Sequence, residues 1–153
     1  MTYFFDAGIR TFDCADIYTG VEEMIGTFIE TLRRDRGSEC ADKIIVHTKL
    51  VPDLNSLPNT GVSDIETIID RSLKRLRLDQ LHLVQFYWWN LSIGHPYETL
   101  ESLTRLCEKG KIRHLGVTNW DVKETASFVD VGLDIVSTQV QYSLLDQRPA
   151  NGL

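Results

Sequence analysis

Residues 63–90, SDIETIIDRSLKRLRLDQLHLVQFYWWN, contain the two patterns that decide the fold. In the first half, apolar residues recur at the spacing of one helical face: Ile65, Ile68, Ile69, Leu73 and Leu76. In the second half, QLHLVQFY (80–87) is almost continuously apolar, which is typical of a parallel strand covered on both faces. The stretch therefore predicts an amphipathic helix followed by a buried strand.

The same alternation continues along the rest of the chain. Four more runs rich in Val, Ile and Phe predict strands at 10–15, 43–50, 113–119 and 134–143. Helix boundaries are marked by capping residues: Ser63 with Glu66 as a capping box, Pro96 at a first turn, and Gly37, Gly110 and Gly132 just past helix ends. The predicted order is β-α-β-α-β-α-β-α-β, in one domain over residues 1–153.

Composition excludes several classes of protein. The chain has 153 residues, 42% of them hydrophobic and 25% charged, which suits one globular domain. Its net charge of −6 argues against a nucleic-acid partner, which usually requires a basic surface. No apolar run is long enough to span a membrane, and the first residues do not resemble a secretion signal.

The cysteines and histidines predict neither a metal site nor a disulfide framework. Cys14, Cys40 and Cys107 are odd in number and widely separated, and no Cys or His pair has the spacing of zinc ligands. The expected compartment is the reducing cytoplasm.

Two folds repeat the βα unit, namely the doubly wound open sheet and the (β/α)8 barrel. No GxGxxG follows any predicted strand, so the dinucleotide fingerprint of the first fold is missing. Polar residues do follow the strands: Asp13, Asp16, Tyr18, Lys49, Tyr87, Asn119, Gln139, Gln141 and Tyr142. In a barrel, all strand C-termini open at one mouth, so these residues would converge there.

Four segments resemble successive motifs of the aldo-keto reductases: TFDCADIYTGVEEMIG (11–26), HTKL (47–50), GKIRHLGVTNW (110–120) and STQVQYSLLDQRP (137–149). They occur in the order and with the spacing of that family. The resemblance implies an α/β fold of the TIM (β/α)8 barrel type. It also implies NADP(H) as the cofactor and the reduction of a small aldehyde or ketone to an alcohol.

The resemblance further assigns catalytic roles to Asp13, Tyr18 and Lys49. Transfer of hydride to a carbonyl produces an alkoxide that needs a proton, and tyrosine with its ordinary pKa of about 10 is a weak donor at neutral pH. A neighbouring lysine ammonium favours the phenolate, and a carboxylate can hold that lysine. Tyr18 is thus the expected proton donor, assisted by Lys49 and Asp13. The alternatives are a helix-capping role for Asp13 and a solvated Lys49.

At the end of the third strand, Tyr87 occupies the position where the family usually has a catalytic His. A tyrosine hydroxyl can donate a hydrogen bond to the substrate carbonyl, so Tyr87 is a fourth candidate catalytic residue. His82, five residues earlier, is predicted to be a core residue. Trp88 and Trp89 are expected to form the wall of the substrate pocket, although one of them could instead cap the barrel core.

By the same resemblance, Thr118, Asn119 and Gln139 are the expected ligands of the nicotinamide carboxamide. An amide pairs well with Asn and Gln because each offers a donor and an acceptor. The alternative for Asn119 is to cap a helix that begins at Trp120. Trp120 is expected to shape the substrate pocket, or else to pack at the start of that helix.

Compared with the family pattern, the chain is short. About five βα units are present, and the first strand and the last two are missing, so the sequence predicts a partial barrel. The chain is therefore expected to be a fragment, an incomplete gene model or a degenerate copy. Open sheet edges are expected to favour self-association. Three functions remain open: a carbonyl reductase, a cofactor-binding regulatory protein, and an inactive remnant.

Overall fold

The computed structural model describes residues 1–151. In this range it has five strands: β1 Thr11–Asp13, β2 Ile45–Leu50, β3 Leu81–Phe86, β4 Ile112–Thr118 and β5 Ile135–Gln139. The α-helices are α1 Thr2–Asp6, α2 Val21–Arg36, α3 Ser38–Ala41, α4 Val62–Leu76, α5 Pro96–Glu108 and α6 Val122–Asp130. Short 3-10 turns lie at Leu57–Asn59 and Arg148–Asn151. The predicted alternation is confirmed from β1 to β5, with α1 before β1 and the short α3 after α2 as additional helices.

The strands form one sheet in the order β1-β2-β3-β4-β5, and every neighbouring pair is parallel. A doubly wound sheet reverses its strand order at a switch point, whereas a barrel adds each strand beside the previous one. The sequential order therefore identifies these strands as part of a (β/α)8 barrel. The predicted partial barrel is confirmed.

The core lies between the outer face of the sheet and the helices. Successive strand residues point to opposite faces, and Leu50, Val84, Phe86 and Val117 on the outer face are fully buried. Helices α2, α4 and α5 supply the opposing apolar residues: Ile25, Ile29, Ile65, Ile69, Leu76, Leu100 and Leu103. The inner face carries polar residues instead, and they form the site described below.

Two helices begin differently from their predicted starts. The cap of α4 is Gly61, whose N–H donates to the Asp64 carboxylate at 2.9 Å, so the predicted capping box of Ser63 with Glu66 is wrong. The helix starts one residue before Ser63, which leaves Ser63 inside the first turn. Helix α6 begins at Val122 behind a capping box formed by Asp121 and Glu124.

The backbones of helices α2 and α4 are in direct contact at Gly26. A side-chain carbon placed on Gly26 would clash with the Arg75 carbonyl oxygen and lie 2.8 Å from the carbonyl carbon of Leu76. Only glycine permits this approach. The two helices that cover β1 and β2 are thereby held tightly together.

A buried polar network centred on Asp16 connects α4 with the strands. The Asp16 carboxylate accepts a hydrogen bond from the Val51 N–H at 3.0 Å and pairs with Arg71 at 3.2 Å. Burial raises the pKa of Asp16 to about 6, although the Val51 hydrogen bond and the Arg71 charge act in the opposite direction. The network ties the loop after β1 to the end of β2 and to α4.

No helix within residues 1–151 has the length and apolar character required to cross a membrane. In the same residues, the three cysteines are free thiols. Strands β1 and β5 lie at the two edges of the sheet. Self-association through these edges remains a prediction.

Replacing Gly26 by Ala is expected to lower the free energy of unfolding by about 2–3 kcal/mol, because the new methyl group overpacks the contact with the α4 backbone. Urea unfolding measures the change. The control is Gly61→Ala, where the added carbon meets only the Asp64 carboxylate at 3.7 Å, with an expected loss of about 0.5 kcal/mol. Equal losses in the two variants would contradict the close packing of α2 on α4.

Asp16 is expected to make the stability of the chain pH-dependent. Its pKa of about 6 in the folded state exceeds the ordinary value of 3.8, so the folded chain binds more protons than the unfolded chain between about pH 4 and 6. The contribution of Asp16 to the free energy of unfolding therefore falls as pH rises through this window, by up to about 3 kcal/mol.

Urea unfolding of the unmodified chain and Asp16→Asn at several pH values between 4 and 7 measures this contribution. The unmodified chain should lose stability relative to the variant as pH rises. The exposed Asp79→Asn is the control, and its difference from the unmodified chain should stay constant over the same range. A constant difference for Asp16→Asn as well would show that Asp16 titrates normally.

Candidate active site

One cavity of about 390 Å³ opens at the C-terminal ends of the strands. Its lining residues come from the ends of β1 through β5 and the loops that follow them: Ile17, Tyr18, Lys49, Val51, Tyr87, Trp89, Thr118, Asn119, Gln139, Val140 and Gln141. Seven of these are residues that the sequence assigns to catalysis, cofactor or substrate. The parallel sheet thus brings together side chains that are up to 121 positions apart, from 18 to 139.

Lys49 and Asp13 form the charged centre of this site. Lys49 Nζ lies 2.6 Å from Asp13 Oδ2 and donates a second hydrogen bond to the Cys14 carbonyl oxygen at 2.9 Å. The Lys49 side chain is only 7% exposed, so both partners are needed to compensate its charge for the loss of water. The carboxylate is therefore positioned to hold the lysine, and it does not cap a helix.

Tyr18 lies beside the same ammonium group. Lys49 Nζ is 5.4 Å from the centre of the Tyr18 ring. The tyrosine is 45% exposed and lines the cavity, so it is accessible from solvent. A positive charge beside an aromatic ring is attracted by it, and the same charge would favour a phenolate oxygen on that ring.

Tyr87 and Trp89 form another part of the wall. Their rings contact each other edge to face, with centroids 5.1 Å apart. Trp89 is half-exposed, and its Nε1–H donates to the Pro52 carbonyl oxygen at 2.8 Å. Trp89 also borders a second cavity of about 580 Å³ beneath the loop 51–61.

Trp88 and Trp120 do not lie on the wall of this cavity, contrary to the prediction for the substrate pocket. Each is 3% exposed and packs in the core against Phe86, with ring centroids 5.4 Å and 5.3 Å away. Trp88 follows the strand alternation and points outward, where its Nε1–H donates to the Ile93 carbonyl oxygen. Trp120 precedes α6 and packs against Phe128 on that helix. The alternative of a packing role describes both residues.

Thr118, Asn119 and Gln139 lie side by side in the cavity. Thr118 and Gln139 are paired in the sheet, and the Asn119 N–H donates to the Gln139 carbonyl oxygen at 2.8 Å. Asn119 has a φ of 58°, a left-handed conformation that Asn tolerates better than most residues. It does not cap α6, because Asp121 does.

The side chains of Thr118 and Gln139 differ in their hydrogen bonding. The Thr118 hydroxyl is buried and finds no hydrogen-bond partner among residues 1–151. The Gln139 amide, in contrast, donates to Asp13 Oδ1 at 3.0 Å. Within the site, Thr118 is thus a polar group without a protein partner, whereas Gln139 already has one.

Sequence reasoning missed the roles of Asp16 and Gln85 beside the site. Asp16 anchors the loop that carries Tyr18, and Gln85 donates from Nε2 to Asp13 Oδ1 at 3.1 Å. The available signal for Gln85 was a polar residue in the middle of the apolar run 80–87. His82 is half-buried and its Nδ1 accepts a hydrogen bond from the Val46 N–H, which gives it a structural role.

The Cys14 thiol lies next to the Lys49–Asp13 pair but is not a thiolate at neutral pH. Burial raises the pKa of the Cys14 thiol to about 11, so Cys14 remains protonated. Within residues 1–151, no group of three or more His, Cys, Asp or Glu side chains is arranged to hold a metal ion. The reactive groups of the cavity are therefore hydroxyl, ammonium and amide groups.

Comparison with curated proteins finds similar reductases. The chain is 31% identical over 150 residues to a chloroplastic pyridoxal reductase of Arabidopsis thaliana, covering 90% of this chain and 40% of that protein. It is 28% identical over 145 residues to methylglyoxal reductase DkgA of Escherichia coli O157:H7, covering 94% and 48%. The chain thus spans about half the length of the curated relatives that it matches.

Comparison with solved structures supports the same fold. The crystal structure of an aldo-keto reductase (AKR2E5) complexed with NADPH superposes with a TM-score of 0.79 at 22% sequence identity. The match covers 97% of this chain and 46% of that one, as expected for part of a barrel. The sequence profile of the aldo/keto reductase family matches residues 1–153, the whole chain. The order of the strands, the residues at their ends and this full-length match establish that the chain belongs to the aldo/keto reductase family.

Proposed function

We propose that this chain carries the catalytic residues of an NADPH-dependent reductase that converts an aldehyde or ketone into an alcohol. One observation carries the proposal: a single cavity is lined by a tyrosine, a buried lysine held by an aspartate, and a set of amide and hydroxyl side chains. The names of the relatives, which are reductases of pyridoxal and methylglyoxal, support a small carbonyl compound as the substrate.

Tyr18 is the proton donor in this proposal. The alkoxide that develops at the substrate carbon needs a proton, and Tyr18 is an accessible tyrosine whose ring lies beside the fixed positive charge of Lys49. The Lys49 ammonium stabilises the negative charge that remains on the phenol oxygen. Asp13 and the Cys14 carbonyl oxygen keep the ammonium beside the ring.

Tyr87 and Trp89 orient the carbonyl compound. The Tyr87 hydroxyl donates a hydrogen bond to the carbonyl oxygen, a role that needs no change of protonation. Trp89 offers a flat apolar surface beside it for the body of the substrate. In this arrangement Tyr87 binds and orients the carbonyl, and Tyr18 donates the proton.

Thr118, Asn119 and Gln139 hold the nicotinamide carboxamide. The buried Thr118 hydroxyl without a protein partner fits a ligand that brings both a donor and an acceptor. Gln139 can turn its amide from Asp13 to the carboxamide, since it is the more exposed of the two amides on that carboxylate. When bound, NADPH supplies the hydride. The NADPH complex of the solved relative supports this choice of cofactor.

A cofactor-binding protein that turns over little is the second candidate. One observation favours it: Tyr87 stands where the family usually has His. Such a protein would bind NADPH but would reduce carbonyl compounds slowly, with a rate that does not depend on Tyr18. An inactive remnant would bind no NADPH.

The purified chain is expected to bind NADPH saturably, with an increase in nucleotide fluorescence as the nicotinamide leaves water. Circular dichroism confirms that the sample is folded. Thr118→Val removes the unpartnered hydroxyl at nearly constant volume and should weaken binding about fivefold, the effect of one hydrogen bond. A folded chain that does not bind NADPH contradicts the proposal and favours the remnant.

Tyr18→Phe is expected to lower the rate of methylglyoxal or pyridoxal reduction by a factor of about 10²–10⁴, because the proton donor is lost. NADPH absorbance at saturating cofactor measures the rate, and the dissociation constant of NADPH should not change. The matched control is Tyr142→Phe, since Tyr142 is exposed and does not line the cavity. If Tyr18→Phe reduces carbonyls as fast as the unmodified chain, Tyr18 is not the proton donor.

A further inference from the structure

Gln85 is a buried amide in the middle of the sheet. It is 2% exposed, and its neighbours Val84 and Phe86 point outward into the apolar core. A primary amide withdrawn from water in this way is destabilising unless it is hydrogen-bonded. Its Nε2 donates to Asp13 Oδ1 at 3.1 Å, across β2 from the third strand to the first.

Asp13 divides its two oxygens between different partners. Oδ2 accepts from Lys49 Nζ at 2.6 Å, while Oδ1 accepts from both amides, Gln85 at 3.1 Å and Gln139 at 3.0 Å. Asp13 lies on a three-residue edge strand, and its side chain is half-exposed. Local packing therefore restrains the carboxylate weakly, and its orientation depends on these hydrogen bonds.

The two amides are not equivalent. Gln139 is partly exposed on the opposite edge strand and lines the cavity, whereas Gln85 is enclosed by its neighbours on β2 and β4. Gln85 faces Lys49 in the sheet register, so it lies beside the ion pair that it supports. It remains bonded to Asp13 when Gln139 turns toward another partner.

We propose that Gln85 is a positioning residue for the reduction, because it fixes the Asp13 carboxylate so that Oδ2 holds the Lys49 ammonium beside Tyr18. Gln85 touches neither substrate nor cofactor in this scheme and acts through Asp13. This inference rests on the proposed function and adds to it the residue that orients the lysine–carboxylate pair.

The charged and titratable groups around this amide are few. Asp13 from β1, Lys49 and His47 from β2, and His114 from β4 lie on or beside the same face of the sheet. Burial lowers the pKa of His47, so it is neutral at neutral pH. The Lys49–Asp13 pair is thus the charged pair that Gln85 contacts directly.

The test replaces Gln85 by Met, which keeps the length and volume of the side chain but removes the donor. Without it, Asp13 turns more freely and Lys49 becomes more accessible. The rate of Lys49 acetylation by acetic anhydride, followed by peptide mass spectrometry, should rise about fivefold, the factor that corresponds to one hydrogen bond. Exposed Lys43 in the same sample should react at an unchanged rate.

Steady-state reduction of methylglyoxal provides the second readout. In Gln85→Met, kcat should fall by a similar factor while the NADPH dissociation constant stays the same, because the cofactor ligands are untouched. The control is Gln80→Leu, which also loses one amide hydrogen bond, to the Gly110 carbonyl oxygen, but on the exposed approach to the same strand. Neither readout should move in this control.

The labelling arm does not need turnover, so it tests whether Gln85 restrains the Lys49–Asp13 pair even if the unmodified chain reduces no carbonyl and the proposed function fails. An unchanged Lys49 labelling rate in folded Gln85→Met overturns the inference. Faster labelling without a loss of kcat in an active chain also overturns it, since Gln85 would then restrain the lysine without assisting the reduction.

Discussion

The ion pair between Lys49 and Asp13, 2.6 Å long, joins the first two strands at the mouth of the barrel. An ammonium group withdrawn from water is stable only when charge and hydrogen bonds compensate it, and Asp13 and the Cys14 carbonyl oxygen supply both. The Asp13 carboxylate also accepts hydrogen bonds from the side-chain amides of Gln85 on β3 and Gln139 on β5. Four of the five strands therefore meet at one carboxylate group.

The two faces of these strands have different roles: the outer face packs in the apolar core, and the inner face carries the polar side chains of the candidate site. On β3, Val84 and Phe86 point outward and are sealed by the helices, while Gln85 between them points inward to Asp13. Since the side-chain period of a strand is two, a shift of one residue in register would bury the polar set and expose the apolar one. The core that stabilises the sheet thus also fixes which side chains face the cavity.

The fold was largely predictable, because apolar runs and helical stripes report burial directly. The convergence of Tyr18, Lys49 and Asn119 was predictable too, since parallel strands end at one mouth. The roles of two tryptophans beyond the strand ends were not: Trp88 continues the outward alternation of β3, and both Trp88 and Trp120 pack in the core against Phe86. The capping roles of Asp64 and Asp121 depended on helix starts shifted by a residue or two from the sequence pattern.

Tyr18 has an accessible side chain on a backbone that is fixed by hydrogen bonds and ion pairs of the preceding loop. The preceding loop is held by Asp16, whose N–H donates to the Lys49 carbonyl oxygen at 3.1 Å and whose own carbonyl oxygen accepts from Arg75 at 3.0 Å. Arg75 also pairs with buried Glu22, so the loop is tied to both α2 and α4. The proposed role of Tyr18 as proton donor requires that it meet solvent-borne substrate in a constant position. The buried Asp16 and Glu22 and their partner Arg75 fix the backbone of this loop. The Tyr18 ring itself can therefore remain exposed to the cavity.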